Sequence, residues 1–542
     1  MKCFSLLYLA IPVVHGLPRV QTPLGYPTSR EFPFDQSFDK IAEKALKDYQ
    51  VPGFSVSIVD CQDTHAKGYG IARFPSTKAT ADTLYFTAST TKSFTAASIL
   101  KLIEEYEKTP YQLSLRTKII DIVPWKLQDD YVTTHATLED ALSHRTGLPR
   151  HDMSYGGPNF TIDDLLRSLP HLPLTREIRQ EFQYCNIMFV ILTRVIEKLS
   201  GTSIAQFFKN NIWQPLGMNN TFMNVEEAKM TGLLADGHWF NNDTGSFDVY
   251  PTIDPLFVAG AGGAISSVTD YAKYLRAMLN DDLSILSAAS YRELRTGRIV
   301  TPSLPLGMDQ GPAAYSLGWF VSVYEGYELI QHTGGVPGFA TLMLYVPELD
   351  WAVSVMANAA EGGSVLLFRI GLELLGRRIK LRHVPDVDGL WRNASRIRLD
   401  IMKNLRAVAF PDAPPPDRAV RHALPLAAYT GVYQHPAYQR INITLAPAPT
   451  YVGVPVPSTG DDGRILHADV QNRTWPHVLD FEHVNAEHFL VRTHYLKDAK
   501  NFDLETEAMR AEFEVGSDST VSRMGLGYEA MMGKDLIWFE RV

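Results

Sequence analysis

Apolar positions near the start of the chain first recur at helical spacing and then change to a strand pattern. Phe38, Ala42 and Ala45 share one face of a 3.6-residue period, which predicts an amphipathic helix. Residues 53–60 then alternate as a strand, and residues 64–71 offer a second strand. The predicted order of the first elements is helix, strand, strand.

The middle of the chain is helical by the same criterion and then changes to short strands. Residues 88–300 carry mainly helical periodicity, and Thr137 and Ser267 stand in capping-box patterns that mark helix starts. Four strands are predicted after it, at 317–324, 327–332, 340–345 and 351–356, and helical patterns follow at 364–375 and 390–408. Because the links between these strands are short, we expect antiparallel neighbours. The pattern predicts an α/β domain of the α+β type, with a central antiparallel sheet flanked by helices and a helical insert.

A proline-rich stretch at 411–417 separates this domain from a different pattern. Consecutive prolines favour extended backbone and cannot continue a helix, so we expect a domain boundary there. Short strands separated by turn residues follow to the end of the chain, which is typical of an all-β barrel or sandwich. The predicted organisation is a signal peptide at 1–16, an extended lead-in at 17–34, the mixed domain at 35–410, a linker at 411–423 and a β domain at 424–542.

Length and charge narrow the function classes. The chain has 542 residues, is 45% hydrophobic and carries a net charge of -9, so it can bury a large core. It has no concentrated Lys/Arg face, which argues against nucleic-acid binding.

Lys2 followed by a short apolar run to residue 14 is typical of a signal peptide cleaved near Gly16, with a buried N-terminal strand as the alternative. No later run reaches membrane length, so we expect a secreted protein without a membrane anchor.

Cysteine and sequon counts add to this picture. Cleavage near Gly16 removes Cys3 and leaves Cys61 and Cys185, too few for a disulfide framework, and whether these two pair stays open. Six N-x-S/T sequons follow the signal peptide and predict a glycosylated protein. Their asparagines are Asn159, Asn219, Asn242, Asn393, Asn442 and Asn472. The oligomeric state stays open.

A Ser and a Lys at the start of the first long helix are the first candidate chemistry. Ser89 and Lys92 form an S-x-x-K, and a spacing of three residues puts both side chains on one helix face. A Ser hydroxyl needs a base, and a Lys serves when burial or a nearby cation lowers its pKa. Alone, the pattern is common and weak.

Tyr184 and Asn186 form a second weak signal, just before a predicted helix. A packing pair with a helix cap is the structural alternative. Beside Ser89, a phenol whose pKa is lowered by Lys92 would relay the Ser proton, and the Asn amide would hold Lys92 or a substrate carbonyl.

The third signal is a glycine-containing stretch where a strand is predicted to end. It consists of His332, Thr333, Gly334 and Gly335, and an ordinary glycine turn is the structural alternative. As an edge strand beside Ser89, it would let substrate approach the backbone, with the N–H groups of Gly335 and Ser89 forming an oxyanion hole.

These three motifs, in this order, resemble the β-lactamase and penicillin-binding-protein family of serine hydrolases. The resemblance is to its Tyr-containing branch of class C β-lactamases, D-aminopeptidases, carboxylesterases and fungal acyltransferases, and it extends over about residues 35–380. Further stretches carry it: Val51-Pro52-Gly53, residues 142–148 (LSHRTGL), residues 215–218 (PLGM), Gly262-Gly263 with Ser266 and Asp270, and Leu317-Gly318-Trp319. A fungal secreted member is implied.

The resemblance implies roles for the candidate residues. Ser89 is the implied nucleophile, Lys92 and Tyr184 are its acid/base partners, and Asn186 contacts substrate together with the strand from His332 to Gly335. The C-terminal β domain is similar to the lipocalin-like domain that some members carry. One departure concerns His332, which stands where class C β-lactamases have Lys; His is mostly neutral above about pH 6.5, so it does not supply a permanent cation for a substrate carboxylate.

Three functions remain after these observations. The first is hydrolysis of an amide or ester in a small-molecule or peptide substrate through an acyl-Ser89 intermediate, as a peptidase, esterase or β-lactamase-like enzyme. The second is acyl transfer in secondary metabolism through the same intermediate. The third is a catalytically silent binding protein. No cofactor is expected, and the sequence contains no metal-binding motif such as H-E-x-x-H.

Overall fold

The computed structural model describes residues 32–241, 244–252, 256–302, 311–451, 454–455, 463–494 and 507–542. The signal peptide 1–16, most of the lead-in 17–34 and the sequon residue Asn242 lie outside these ranges. Among the residues described, none of the helices combines the length and apolar character needed to cross a membrane.

Helices flank a sheet in the first 410 residues. The described helices are α1 Gln36–Asp48, α2 Thr91–Tyr106, α3 Asp130–His135, α4 Leu138–Leu142, α5 Ile162–Ser168, α6 Asn186–Ser200, α7 Ile204–Phe208, α8 Val225–Met230, α9 Ala259–Gly262, α10 Val268–Asn280, α11 Ala288–Arg295, α12 Glu361–Ile379, α13 Val387–Lys403 and α14 Leu405–Ala409. Helix α6 ends where Gly201 takes a left-handed conformation (φ 71°), which glycine adopts without steric cost.

Thirteen described strands lie in the same part of the chain. They are β1 Gly53–Asp60, β2 Asp63–Arg73, β3 Thr77–Lys78, β4 Tyr85–Phe86, β5 His238–Asn241, β6 Ser246–Val249, β7 Ile265–Ser266, β8 Ile299–Thr301, β9 Ala313–Tyr315, β10 Phe320–Tyr324, β11 Tyr327–Val336, β12 Phe339–Val346 and β13 Trp351–Ala357. Nine of them form one antiparallel sheet in the order β3-β2-β1-β13-β12-β11-β10-β9-β8. The predicted central antiparallel sheet with a helical insert is confirmed.

Both faces of the sheet are covered, because the inner strands alternate between two apolar layers. On β12, Met343 and Tyr345 belong to the core that contains α2, α6 and α10, whereas Leu342 and Leu344 belong to the core under α1 and α12. This is the two-residue period of a strand buried on both sides. The helix α2, which carries Lys92, therefore belongs to the core on the first face of the sheet.

The chain after residue 430 forms a closed eight-stranded barrel, so the predicted all-β C-terminal domain is confirmed. The barrel order is β14-β15-β18-β19-β20-β21-β22-β23, closed by pairing of β14 with β23. The strands from β14 onward are β14 Gly431–His435, β15 Gln439–Pro447, β16 Thr450–Tyr451, β17 Val454–Pro455, β18 Arg464–Val470, β19 His477–Asn485, β20 His488–His494, β21 Glu507–Val515, β22 Val521–Leu526 and β23 Ile537–Arg541.

Among the residues described, two contacts between the barrel and the first domain bear on the position of the site. Helix α14 packs on the barrel, and Arg406 donates to the carbonyl oxygens of His483 and Val484. The second contact involves residues 151–157, where the Gly156 carbonyl accepts from Thr474 at 2.9 Å. This second contact borders the candidate active site.

Two details differ from or complete the sequence analysis. The strand predicted to end at His332 continues to Val336, because Gly334 and Gly335 pair with Thr341 and Ala340 of β12. The turn is therefore not at Gly334. Cys61 and Cys185 do not form a disulfide with each other.

Candidate active site

Ser89 lies in a 3₁₀ turn, Ala88–Thr90, that leads directly into α2. Ala88 has a left-handed backbone conformation (φ 48°), which is unusual for a residue with a side chain and persists only where its surroundings fix it. The Thr91 hydroxyl donates to the Ala88 carbonyl at 2.7 Å, and Thr87 N–H donates to Ala264 at 2.9 Å. The turn is thus held from two sides and presents a half-buried Ser89.

Lys92 is fully buried, and its amine faces Ser89. Its Nζ lies 3.1 Å from Ser89 Oγ, 2.7 Å from Asn186 Oδ1 and 2.7 Å from the Ala261 carbonyl oxygen. A neutral amine has two hydrogens and one lone pair. The Asn186 and Ala261 oxygens take the two hydrogens, so the lone pair of a neutral Lys92 is directed at the Ser89 hydroxyl.

The environment favours that neutral form. Burial is the main cause that holds the pKa of Lys92 well below its usual value, and the positive charge of Arg150 lowers it further. The carboxylate of Asp152 opposes both effects. Lys92 can serve as a base when burial or a nearby cation lowers its pKa, and the site provides both.

Tyr184 lies with its ring beside the Lys92 amine and the Arg150 guanidinium. Lys92 Nζ is 4.8 Å and the Arg150 guanidinium is 5.2 Å from the ring centre. The expectation that Lys92 lowers the pKa of this phenol was wrong. Burial raises the pKa of Tyr184 above its usual range and outweighs the hydrogen bond with Ser89 and the charge of Arg150. Tyr184 therefore keeps its proton at neutral pH and is a proton donor.

Asn186 is the first residue of α6 and joins two parts of the site. Its Oδ1 accepts from Lys92, and its Nδ2 donates to Asp152 Oδ1 at 3.2 Å. Of the two contacts considered for this amide, the structure shows the one with Lys92. The orientation of Asn186 is thus fixed by the Lys92 amine on one side and the Asp152 carboxylate on the other.

Arg150 and Asp152 are site residues that the sequence analysis missed. They form an ion pair of 2.7 Å, and Asp152 also accepts from the Tyr155 hydroxyl at 2.8 Å. His144, from the quoted stretch 142–148, is also buried, with its ring 4.2 Å from that of Tyr184. A signal for Arg150 and Asp152 was present in the sequence, because both directly follow the family-like stretch 142–148, in Pro149-Arg150-His151-Asp152.

The strand from His332 to Val336 forms one side of the cleft. A side chain added at Gly334 would meet the Thr87 carbonyl oxygen at 2.2 Å and Ser89 N at 3.1 Å, so only glycine permits this approach of β11 to the Ser89 turn. Gly335 is exposed with open space above it. The structure thus brings the Ser89 turn next to the backbone of Gly334 and leaves Gly335 accessible, with half-buried Thr333 before them.

His332 lies behind this surface. It is 1% exposed, its Nε2 is 3.0 Å from the Tyr315 hydroxyl, and its Nδ1 is 2.6 Å from the Thr333 carbonyl oxygen. Burial lowers the pKa of His332 to about 3, aided by the charge of Lys92. His332 is therefore neutral over the whole physiological range, and both of its ring nitrogens have partners within the protein.

An apolar pocket adjoins Gly335 at the end of β11. Its walls include Phe86, Val336 and Phe339 from the first domain, and Trp475 from the barrel. The rings of Phe86 and Phe339 are 5.1 Å apart. Because Val336 directly follows Gly335 and Phe86 precedes Ser89 by three residues, the pocket lies beside the cleft.

The other candidate residues fall outside the cleft. Cys185 is buried, and burial raises the pKa of its thiol to about 12, so it is not a thiolate nucleophile. The sequon residues within the described ranges are all exposed: Asn159, Asn219, Asn393, Asn442 and Asn472. Among the residues that the structure describes, there is no group of three or more His, Cys, Asp or Glu that could hold a metal ion.

Comparison with known proteins agrees with this geometry. Residues 38–374 match the family described as Beta-lactamase, and residues 415–541 match a domain of unknown function, DUF3471. The chain is 34% identical to the protein named Unguisins hydrolase ungD' of Aspergillus campestris (strain IBT 28561), over 94% of this chain and 92% of that protein. It is 31% identical to Unguisins hydrolase ungD of Aspergillus violaceofuscus (strain CBS 115571), over 95% and 92%.

Solved structures show the same fold. The octameric penicillin-binding protein homologue from Pyrococcus abyssi superposes with a TM-score of 0.57 at 23% identity, covering 90% of this chain and 97% of that one. The fold likeness therefore includes the barrel as well as the sheet domain. Given the match of 38–374 and the two relatives aligned over nearly their full length, this chain belongs to the beta-lactamase family and is a serine hydrolase of that fold.

Proposed function

We propose that this protein is a secreted hydrolase that cleaves an amide or ester bond through an acyl-enzyme on Ser89. The observation that carries the proposal is the position of Lys92, whose amine lies 3.1 Å from Ser89 Oγ while two other acceptors occupy its hydrogens. Burial and Arg150 keep that amine neutral, so it accepts the Ser89 proton as attack begins.

Acylation follows from these positions. Ser89 Oγ bonds to the substrate carbonyl carbon while its proton moves to Lys92. The developing oxyanion takes hydrogen bonds from the N–H groups of Ser89 and Gly335. When the bond to the leaving group breaks, Tyr184 donates its phenol proton to the departing nitrogen or oxygen and recovers a proton from Lys92.

Deacylation repeats the sequence with water. The water oxygen bonds to the acyl carbon, its proton passes to Lys92, and the ester bond to Ser89 breaks as Ser89 regains a proton. The product is a free acid and the enzyme returns to its starting state. If another nucleophile takes the place of water, the same steps give acyl transfer, so the acceptor distinguishes the two reactions.

The substrate is proposed from two observations. The two Aspergillus relatives are named for hydrolysis of unguisins, which makes an unguisin the first substrate to test. The pocket of Phe86, Phe339 and Trp475 fits an apolar side chain next to the scissile carbonyl. Neutral His332 provides no charge for a substrate carboxylate, so we expect weak turnover of penicillins and cephalosporins.

Covalent labelling tests the nucleophile. Wild-type protein incubated with a p-nitrophenyl acyl ester should gain the mass of one acyl group, and Ser89→Ala should gain none while keeping its fold. Ser93→Ala is the matched control, since Ser93 lies one turn further along α2 and donates to the Thr90 carbonyl. An equal adduct on Ser89→Ala would refute the proposal.

A turnover panel tests the reaction. It contains an unguisin, p-nitrophenyl esters, D- and L-aminoacyl amides and a cephalosporin, each with and without an amine acceptor. Hydrolysis products irrespective of the acceptor support the proposal. Products that form only with the acceptor would assign the protein as an acyltransferase, and absence of both turnover and adduct would assign it as a binding protein.

The location is proposed from the N-terminal sequence and the sequons. We expect the natural host to release a protein that begins after Gly16 and loses mass on treatment with an N-glycosidase. N-terminal sequencing and intact mass of protein from the culture medium test both points. Retention of residues 1–16 in a cell-associated protein would refute secretion.

A further inference from the structure

His151 connects the active site to the barrel. It is fully buried, and its ring Nδ1 lies 2.7 Å from the hydroxyl of Tyr438. Its backbone N–H donates to Glu529 Oε2 at 2.7 Å, and its Nε2 lies 2.9 Å from the Pro173 carbonyl oxygen. Two of these three partners belong to the barrel, so the barrel holds both the backbone and the side chain of this residue.

The backbone of His151 requires such support. Its φ is 47°, in the left-handed region that residues with a side chain rarely adopt. This conformation costs free energy and persists only where several contacts fix it. The contacts from Tyr438 and Glu529 are two of those that fix it.

The two barrel residues are themselves rigidly placed. The Tyr438 ring stacks on Tyr528 with ring centres 5.5 Å apart and planes 3° from parallel. The second carboxylate oxygen of Glu529 accepts from Met531 N–H at 3.0 Å, and Glu529 is buried. A contact with them therefore transmits the position of the barrel to His151.

The neighbours of His151 in sequence are the ion pair of the active site. Arg150 lies over the Tyr184 ring, and Asp152 accepts from Asn186, which in turn holds Lys92. Fixing the backbone of His151 also fixes where the side chains of Arg150 and Asp152 leave the backbone. The position of the barrel is thus connected to the base through three residues.

We infer that Tyr438 and Glu529 are positioning residues for catalysis, which hold His151 so that Arg150 and Asp152 stand beside Tyr184 and Asn186. The barrel is then a functional part of the catalytic centre. This inference rests on the proposed function, in which neutral Lys92 is the base.

The pH dependence of acylation reports on this arrangement. Lys92 acts when neutral, so the rate rises with pH through its pKa. The rising part of the pH–rate profile, here called the acid limb, therefore reports the pKa of Lys92. Arg150 lowers that pKa more strongly than Asp152 raises it, so displacing Arg150 and Asp152 together moves the acid limb to higher pH. The titratable and charged groups that interact with Lys92 are Arg150, Asp152, Cys185, His144, His332 and Tyr184.

Tyr438→Phe is the primary test, because it keeps the ring stacked on Tyr528 and removes only the hydroxyl. We expect the acylation rate with a p-nitrophenyl ester to fall about ten-fold, since small displacements of catalytic groups cost that much or more. The acid limb should move to higher pH, and the melting temperature should stay close to that of wild type.

The Glu529 variants test the second barrel contact. Glu529→Ala should lower the acylation rate and move the acid limb in the same direction as Tyr438→Phe. Glu529→Gln should keep most of the wild-type rate, because an amide oxygen still accepts from His151 N–H.

Two controls separate positioning from general stability. Tyr528→Phe removes a hydrogen bond to His477 within the barrel and leaves the contacts with His151 in place, so its pH profile should match wild type. In an Arg150→Gln background, Tyr438→Phe should no longer move the acid limb to higher pH, because the cation whose displacement causes that upward shift is gone.

The outcomes distinguish this inference from the proposed function. A wild-type enzyme that shows no acyl adduct or no acid limb overturns both. A wild-type acid limb that stays unmoved in Tyr438→Phe and Glu529→Ala overturns the inference alone. An equal effect of Tyr528→Phe would show that barrel stability, and not the contact with His151, is responsible.

Discussion

Replacing Arg150 with Gln tests whether a cation beside Tyr184 sets the pKa of the base. The change removes one positive charge and leaves a side chain of similar length. Because a nearby cation disfavours protonation of Lys92, its loss raises the pKa of Lys92. The neutral amine is then formed only at higher pH, so we expect the acid limb of the acylation rate to shift upward.

The size of the shift follows from the geometry. Lys92 Nζ and the guanidinium carbon of Arg150 lie 4.8 and 5.2 Å from the same ring centre. The two groups are therefore at most about 10 Å apart, where an effective dielectric constant of about 20 gives a repulsion of at least about 1.7 kcal/mol before screening by solvent. One pKa unit corresponds to about 1.4 kcal/mol. Since the Arg150 side chain is 51% exposed and screened by solvent, we expect a shift of about half to one pKa unit.

The assay is the pre-steady-state burst of p-nitrophenol between pH 4 and pH 9. Asp152→Asn provides a control of opposite sign, since loss of the carboxylate lowers the pKa of Lys92 and moves the limb to lower pH. Arg194→Gln is the matched control and should leave the acid limb unchanged, because Arg194 lies on α6 but pairs with Asp163 away from the cleft. An unchanged or downward-shifted limb in Arg150→Gln would refute the electrostatic reasoning.

Two other predictions concern the cleft walls. Trp475→Ala should raise KM about ten-fold for esters with a large apolar acyl side chain, equivalent to about 1.4 kcal/mol of lost contact, and should leave acetyl esters nearly unchanged; a uniform loss for both esters would exclude a role in specificity. His332 is neutral in the folded state down to about pH 3, whereas an exposed His takes up a proton near pH 6.5, so it reduces stability progressively as the pH falls from about 6.5 to 3. As the pH falls, the free energy of unfolding of His332→Gln should therefore increase relative to that of wild type, as measured by urea denaturation. A difference that does not change with pH would contradict the assigned burial effect.

Local patterns in the sequence were sufficient for much of the fold. The antiparallel strands around β11 and β12 follow from alternating apolar residues joined by short links, because side-chain period and link length leave few other pairings. The all-β character of the C-terminal domain follows from short strands after a proline-rich stretch, whereas that pattern left a barrel and a sandwich equally open. Ser89 and Lys92 could be paired in advance because three residues along a helix bring two side chains to one face.

Other features depended on contacts between distant parts of the chain. The neutral state of His332 and the raised pKa of Tyr184 come from burial, and the degree of burial at a single position is a property of the packed core. The misjudged end of β11 has the same origin, since Gly334 looks like a turn residue until β12 pairs with it and the Ser89 turn lies against it.

The residue types, their order and their local spacing thus specified the helices and strands, the all-β character of the C-terminal domain and the placement of Ser89 and Lys92 on one helix face, because these depend on neighbours within a few positions. The contacts of Arg150 with Tyr184, of Asp152 with Asn186, and of Tyr438 and Glu529 with His151 join residues separated by 34 to 378 positions. No local period encodes such a contact. Only the packing of the barrel against residues 151–157 brings these groups together, since burial and electrostatic effects act through space and not along the chain.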